Sequence, residues 1–162
     1  MGRTQQPIAG LYLHLPFCRA KCYYCDFNSR PMRDQQELTQ YVQALQQDIT
    51  LSAAPAHDHE LISVYFGGGT PSLLSPSQLK RILEGVRRSY ALSADAEITL
   101  EANPGTVAPS AWRGLRKSGI NRLSIGIQSF DDDLLKLLGR IHTGPQAVAA
   151  VKAARRAGFA AA

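Results

Sequence analysis

Three cysteines could do chemistry in this chain, and it has no others. Cys18, Cys22 and Cys25 lie in one short loop, directly after an apolar run. Three thiols leave one unpaired, and no pair in so short a loop would close a long, stabilising disulfide. All three could be free or buried cysteines, but their clustering in one loop disfavours that interpretation. The pattern indicates a metal centre.

Two kinds of metal centre fit such a loop. A structural zinc ion needs four ligands with no vacancy, and His14 could be the fourth, although it lies inside a predicted strand. An iron–sulfur cluster is the other candidate, because soft thiolates suit iron and sulfide. In an electron-carrier protein, each of the four irons of a cubane is coordinated by a cysteine. Three cysteines leave one iron open, where a small molecule can chelate it, and that arrangement suits catalysis.

Composition places the chain among globular proteins with a sizeable core. Of its 162 residues, 44% are hydrophobic and 19% are charged. No apolar run approaches the roughly 20 residues that span a bilayer. The N-terminus does not read as a secretion signal, and unpaired thiols predict a cytoplasmic location. The net charge is +5, but the basic residues are spread along the chain, so we expect no nucleic-acid partner.

Alternating elements must position the cysteine loop. Period-two patterns predict strands at about 10–15, 61–66, 97–102 and 122–128. Helical periodicity follows each strand: one helix is capped by Asp34, a second by Ser75 or Ser77, and shorter ones lie near 109–117 and 131–138. A final helix spans about 145–157, and Gly158 ends it. Strands alternating with helices imply parallel β/α units.

The strands carry branched aliphatic residues on one face and small, polar or aromatic residues on the other. This asymmetry favours a sheet curled around a polar interior over an open sheet covered on both faces. We therefore predict an α/β fold, a partial (β/α) barrel of about four units, with its site at the C-terminal strand ends. Four units make about half of such a barrel. Residues 1–162 are therefore expected to be the N-terminal part of a longer domain, cut before a fifth strand.

Three further features fall near those strand ends. The triple glycine before Thr70 is not a phosphate loop, because Pro71 follows before any helix begins and there is no Gly-Lys-Ser/Thr. Because these glycines have no side chains, a ligand could approach the backbone there. Glu101 points into the proposed interior, where a carboxylate needs a partner. Arg140 could be a helix-terminal charge, but its guanidinium fork also matches a carboxylate.

Five stretches together resemble one branch of the radical S-adenosylmethionine (SAM) enzymes. They are LYLHLPFC at 11–18, YFGGGTPS at 65–72, EANP at 101–104, SIGIQSF at 124–130 and LGRIHT at 138–143. The branch contains oxygen-independent coproporphyrinogen III oxidases and HemW-type heme chaperones. The resemblance implies a [4Fe–4S] cluster on Cys18, Cys22 and Cys25. It also implies that eight residues contact SAM: Tyr12, Tyr24, Gly68, Gly69, Thr70, Glu101, Gln128 and Arg140. Among them, Arg140 would meet the methionine carboxylate and Glu101 the ribose.

One departure separates the two kinds of relative. The oxidases look like Cys-x3-Cys-x2-Cys-x-Cys, whereas this chain has Phe27 at the fourth cysteine position. That pattern resembles the heme chaperones, so the family implies heme as cargo, heme-accepting client proteins and an electron donor such as a flavodoxin or ferredoxin. Oxidative decarboxylation of coproporphyrinogen III is the alternative function. A zinc-binding interaction module is a further one. Whether the chain is an enzyme is left open at this point.

Overall fold

The computed structural model describes residues 6–159. Within these residues the strands are β1 Ile8–Leu15, β2 Phe17–Cys18, β3 Arg30–Pro31, β4 Glu60–Gly68, β5 Ala91–Ala102 and β6 Arg122–Ile125. The helices in the same range are α1 Gln35–Leu51, α2 Pro76–Ser89, α3 Trp112–Lys117, α4 Asp132–Leu137 and α5 Gly144–Arg156. Short 3₁₀ turns lie at Ala54–Ala56 and Pro71–Leu73.

A four-stranded parallel sheet organises the fold. Its order is β1-β4-β5-β6, so the long strands lie side by side in chain order. Helices connect them, which confirms the predicted α/β class. Because all four strands run the same way, their carboxyl ends meet at one edge. None of the helices in the described part of the chain is long and apolar enough to cross a membrane.

Helices α1 and α2 begin where capping residues were predicted. The Asp34 side chain accepts a hydrogen bond from the backbone N–H of Glu37 at the start of α1. Ser75 and Gln78 form a reciprocal capping box at the start of α2. Four residues of the predicted apolar stripe of α2 are fully covered in the core, Leu79, Ile82, Leu83 and Val86. The fifth, Tyr90, follows the last helical residue and is only partly buried. Capping and one apolar face therefore fix these two helices against the sheet.

The predicted division of the sheet faces holds at most positions. Leu13, Leu15, Val64 and Phe66 are buried in the core that the helices cover. Ile62 is an exception: it is 43% exposed, because the register between β4 and β5 shifts between Leu61 and Ser63. Leu61 takes the buried position instead, at 2% exposure. An irregularity of one residue moves a side chain to the opposite face.

Two predicted strand boundaries were wrong. β5 begins at Ala91, six residues before the predicted start at Glu97, through a segment with few branched apolar residues. β6 ends at Ile125, three residues before the predicted end at Gln128. Gln128 has a φ of +68°, which no strand residue adopts. The chain therefore leaves the sheet before it reaches Gln128.

A small bridge closes the cysteine loop, and the sequence patterns did not predict it. β2 and β3 pair in parallel, outside the main sheet. The backbone N–H of Arg30 donates to the Pro16 carbonyl at 2.8 Å, and that of Met32 donates to the Cys18 carbonyl at 2.8 Å. The bridge therefore holds both ends of the loop beside the carboxyl end of β1.

Candidate functional site

The cysteine loop is fixed from inside and from across the fold. The Lys21 Nζ atom donates to the carbonyls of Phe27 and Ser29, at 3.2 and 3.0 Å. The backbone N–H of Cys25 donates to the Cys22 carbonyl at 3.1 Å and forms a turn between the two thiols. The backbone N–H of Tyr23 donates to the Leu138 carbonyl at 3.2 Å. These contacts join the loop to the segment that follows α4.

The triple glycine packs directly under the first cysteine. The backbone N–H groups of Gly69 and Thr70 donate to the carbonyls of Leu15 and Phe17, at 2.6 and 2.7 Å. A Cβ atom on Gly69 would lie 2.6 Å from the Phe17 carbonyl oxygen, so a side chain does not fit. The Thr70 hydroxyl donates to Cys18 Sγ at 3.3 Å. The close approach of two backbone segments explains why glycine is needed at position 69.

Glu101 lies at the end of β5 and has partners for both carboxylate oxygens. The Tyr65 hydroxyl donates to Oε1 at 2.7 Å, and the Gly68 N–H donates to Oε2 at 3.2 Å. Burial, followed by the hydrogen bond to Glu101, raises the pKa of Tyr65 above its ordinary value. Tyr65 therefore remains a neutral donor, and the partners of the carboxylate hold it at the strand end.

Arg140 connects the cysteine loop to the end of β6. Its Nη1 atom lies 3.3 Å from Cys22 Sγ, and Nη2 donates to the Gly126 carbonyl. Its Nε atom is buried and has no hydrogen-bond partner among the residues that the structure describes. A buried donor without a partner is costly, so this guanidinium retains capacity for an acceptor that a bound molecule could supply.

One cavity of about 360 Å³ collects most of the predicted site. Nine of the eleven residues line it: Cys18, Cys22, Cys25, Tyr24, Gly69, Thr70, Glu101, Gln128 and Arg140. Burial raises the pKa of Tyr24, and Arg140 opposes that rise. Thiols, a carboxylate, a guanidinium and bare backbone therefore face one space at the carboxyl ends of the strands.

Two predicted residues lie outside the cavity lining. Tyr12 is 55% exposed and stacks on Tyr65, with 6.0 Å between ring centroids. Burial, with the nearby Glu101 carboxylate, raises its pKa. Gly68 is buried, with a φ of +109°, and acts through its N–H on Glu101. Gly68 therefore contacts Glu101 directly, whereas Tyr12 packs on Tyr65, which in turn donates to Glu101.

The sequence prediction missed several residues of the lining: Ala20, Lys21, Phe27, Ala102, Asn103, Ser124 and Gly126. The period-two pattern of the sequence places Asn103, Ser124 and Gly126 on the same predicted face as Glu101 and Gln128, so that pattern could have identified them, although only Ser124 and Glu101 lie on strands. Lys21 and Phe27 lie in the loop itself. Their closeness in the sequence to Cys22 and Cys25 could have identified them.

The described residues do not assemble the four converging ligands that a structural zinc ion needs. In residues 6–159, no three side chains of His, Cys, Asp or Glu converge as the ligands of one ion would. Both ring nitrogens of His14, the suggested fourth ligand, are engaged: Nδ1 lies 3.1 Å from the Tyr12 hydroxyl and Nε2 lies 2.9 Å from the Asn28 carbonyl. Ligands of a cubane bind different irons, so they need not converge on one point.

Comparison with known families decides between these possibilities. The sequence profile of the radical SAM superfamily matches residues 12–161. The chain belongs to the radical SAM superfamily. Members of this superfamily carry a [4Fe–4S] cluster and use SAM, and the zinc-module alternative loses its support. The family also accounts for cysteines in a loop at the mouth of a parallel β/α sheet.

Three relatives show which branch is similar. The heme chaperone HemW of Escherichia coli K12 is 49% identical over 140 residues, which cover 86% of this chain and 37% of that protein. The bovine radical S-adenosyl methionine domain-containing protein 1 is 41% identical over 164 residues, covering 96% of this chain and 36% of the relative. The solved structure of coproporphyrinogen III oxidase (HemN) from Escherichia coli superposes with a TM-score of 0.86 at 34% identity, covering 96% and 36% of the two chains. The chain thus spans little more than a third of its relatives.

The residues present fit the cofactors that the superfamily implies. Three thiols supply soft ligands for iron. Two of the sulfurs already receive hydrogen bonds, from Thr70 and Arg140, and hydrogen bonds to sulfur tune such clusters. The buried Nε atom of Arg140 is a donor that lacks an acceptor. Beside them the cavity leaves room for a small molecule.

Proposed function

We propose that the protein containing this chain is a heme chaperone of the HemW type. It would hold a [4Fe–4S] cluster on Cys18, Cys22 and Cys25 and bind SAM beside it. The chain would form the N-terminal part of the radical SAM core domain. The observation that carries the proposal is the single cavity shared by the three cysteines, the glycine turn, Glu101 and Arg140. Two similar relatives, at 49% and 41% identity, bear the name heme chaperone HemW, and this supports the heme-chaperone branch.

The polar residues of the cavity suit the two ends of SAM. The fork of Arg140 would bind the methionine carboxylate, because a guanidinium pairs with a carboxylate through two parallel hydrogen bonds. Glu101 would accept hydrogen bonds from the ribose hydroxyls. Gly69 and Thr70 would present bare backbone to the ligand, and Gln128 and Tyr24 would complete the lining.

The residues around the thiols would tune the cluster. The chemistry that a reduced cluster supplies to bound SAM is an electron for its sulfonium. Thr70 donates to Cys18 Sγ and Arg140 lies against Cys22 Sγ; hydrogen bonds and positive charge near cluster sulfurs favour the reduced state. Lys21 fixes the loop by its contacts with two carbonyls.

Coproporphyrinogen III oxidase is the second candidate function, favoured by the structural similarity to HemN. Phe27 argues against it. This side chain lines the cavity and is 64% exposed, at the position where the oxidase pattern has a fourth cysteine. An apolar ring would offer no thiol there. It would present an apolar surface at the entrance, which suits a flat hydrophobic ligand better than it suits additional metal ligation.

Heme titration and enzyme turnover separate the two candidates. The full-length protein is reconstituted with iron and sulfide under anaerobic conditions, titrated with heme and followed by absorbance. The same preparation is assayed for decarboxylation of coproporphyrinogen III with SAM and a reductant. Saturable heme binding without turnover supports the chaperone. Turnover at a rate typical of enzymes, on the order of 1 s⁻¹ or more, contradicts it.

Several further properties belong to this proposal. Heme would be bound as cargo and passed to client proteins, with a flavodoxin or ferredoxin as electron donor. The cytoplasmic location predicted from the unpaired thiols stays a prediction. A pull-down with heme-loaded protein, compared with the heme-free form, would identify clients, and the proposal expects them only in the heme-loaded sample.

A further inference from the structure

His142 is a buried histidine that the proposed SAM site does not use. Its side chain is 4% exposed, and it lies in the segment between α4 and α5. Its Nε2 atom lies 3.1 Å from the Ile127 carbonyl oxygen, and its Nδ1 atom lies 3.2 Å from the side-chain oxygen Oδ1 of Asn103. Both of these oxygens are acceptors, and Oδ1 of Asn103 already receives a hydrogen bond from the Gly105 N–H. We therefore assign the single proton of the neutral ring to Nε2, which faces Ile127. The ring therefore joins the segments that follow β5 and β6.

The segment after β6 adopts an uncommon backbone conformation. Gln128 is the one non-glycine residue with positive φ in the described part of the chain, at +68°. One very short turn precedes Gln128 and a second has Gln128 at its centre: the N–H of Ile127 donates to the Ile125 carbonyl, and that of Ser129 donates to the Ile127 carbonyl, each at 2.9 Å. A left-handed conformation outside glycine costs free energy and persists only where neighbours enforce it.

Two side chains from one segment enforce this conformation. Arg140 Nη2 donates to the Gly126 carbonyl, and His142 Nε2 donates to the carbonyl of Ile127. The two acceptors are consecutive, and they lie immediately before Gln128. Arg140 and His142 thus contact the strained turn from one side.

We propose that His142 is a positioning residue: through the Ile127 carbonyl it holds Gln128 in the left-handed conformation that directs this residue into the SAM cavity. The inference rests on the proposed SAM site and adds a residue to it. His142 does not line the cavity. Its effect on SAM must therefore pass through Gln128, and the contact with Ile127 must matter more than the contact with Asn103.

Two amide substitutions test which contact matters. In His142→Gln the amide nitrogen can reach the Nε2 position and donate to Ile127. In His142→Asn the shorter amide reaches only the Nδ1 position, near Asn103. In the reconstituted full-length protein we expect unchanged iron content for both. His142→Asn should weaken SAM binding about tenfold or more, and His142→Gln less than about threefold, by equilibrium dialysis.

The EPR spectrum of the reduced cluster gives a second readout. Added SAM should change the spectrum of His142→Gln as it does in the wild type, and His142→Asn should need about tenfold more SAM. The same substitutions at His57, which is exposed, serve as controls and should alter neither measurement. Equal losses of SAM affinity in His142→Gln and His142→Asn would overturn the proposal.

A stability cycle tests the inference without SAM. Glycine adopts positive φ without strain, so the stability of the Gln128→Gly variant should depend less on His142. We expect His142→Asn to lower the melting temperature more in the wild-type background than in Gln128→Gly. Equal decreases in the two backgrounds would contradict the inference. If His142→Asn alone fails to fold, recovery of folding by Gln128→Gly supports the inference, and continued failure overturns it.

The two experiments also separate this inference from the proposed function. Wild-type protein that holds no cluster or binds no SAM would reject the proposed function. The stability cycle would still decide whether His142 holds Gln128.

Discussion

The Arg140 guanidinium lies 3.3 Å from the Cys22 sulfur, although 118 residues separate them in the chain. The contact joins the segment after α4 to the cysteine loop near the start of the chain. One arm of the guanidinium faces the proposed cluster, and a second donates to the Gly126 carbonyl. The buried Nε atom remains without a partner among the described residues. Arg140 is therefore placed to bind an acceptor held beside the cysteine loop.

Arg140→Lys should retain the cluster and lose SAM affinity. Lysine keeps the positive charge, so iron binding by the three thiols should be unchanged. The planar fork is lost, and a single ammonium cannot form two parallel bonds to a carboxylate. We expect about tenfold weaker SAM binding, measured by equilibrium dialysis. Arg156→Lys at the end of α5 is the control; an equal loss there, or none in Arg140→Lys, would contradict the assignment.

Tyr65→Phe should weaken the support of Glu101. The hydroxyl donates to Oε1 at 2.7 Å, and its removal leaves the carboxylate with the Gly68 N–H. We expect the free energy of unfolding to fall by about 1.5–3 kcal/mol, as for the loss of one hydrogen bond to a charged group. Urea unfolding measures the change. Tyr90→Phe, away from the cavity, is the control and should lose clearly less.

Gly69→Ala should be strongly destabilising, and Gly85→Ala should not. A Cβ atom at position 69 would lie 2.6 Å from the Phe17 carbonyl and 2.9 Å from that of Leu15. Backbone must move to accept it, so we expect a loss of about 2 kcal/mol or more in urea unfolding. At Gly85, inside α2, the nearest atom is the Arg88 guanidinium at 4.0 Å. Alanine there should stabilise the helix by about 0.5–1 kcal/mol. The opposite order would refute the packing argument.

Glu37 should make the free energy of unfolding decrease at low pH. Its carboxylate pairs with Arg30, at the end of the cysteine loop, and with Arg33. Hydrogen bonds from Arg30 and then Arg33 lower the pKa of Glu37 from 4.5 to about 2. A lowered pKa means that this contribution is complete above the unfolded value of 4.5. It is lost as pH falls from there towards 2.

The glutamine variant isolates that contribution. The stability difference between wild type and Glu37→Gln should be largest above pH 5 and should shrink as pH approaches 2. Urea unfolding at several pH values measures it. Glu84→Gln, beside the exposed Lys80, is the control and should differ little from wild type across the range. A constant difference between wild type and Glu37→Gln would show that the ion pairs do not bear on folding.

Local patterns were enough to predict the order of elements, because each depends on nearby residues. Asp34 and Ser75 cap helices through bonds within a few residues, and the α2 stripe follows from one helical period. The radical SAM resemblance came from short motifs, and the family profile bears it out. Nine of the eleven predicted site residues line one cavity because parallel strands bring their carboxyl ends to one edge.

What depends on distant contacts was not visible in the sequence. The shift at Ile62 comes from pairing of β4 with β5, and the β2–β3 bridge joins residues on either side of the cysteine loop. Gln128 looks like an ordinary strand residue, because its left-handed conformation is enforced by partners later in the chain. The hydrogen bond from Tyr65 to Glu101 depends on the register in which β4 pairs with β5, and no local pattern gives that register.

Anaerobic reconstitution tests the central claim most directly. The full-length protein is treated with iron and sulfide, reduced, and examined by EPR with and without SAM, beside a Cys22→Ala variant. We expect about four irons and four sulfides per wild-type protein, an EPR signal that SAM changes, and no such cluster in the variant. An intact cluster in Cys22→Ala, or a wild-type cluster whose EPR spectrum does not change when SAM is added, would contradict the account.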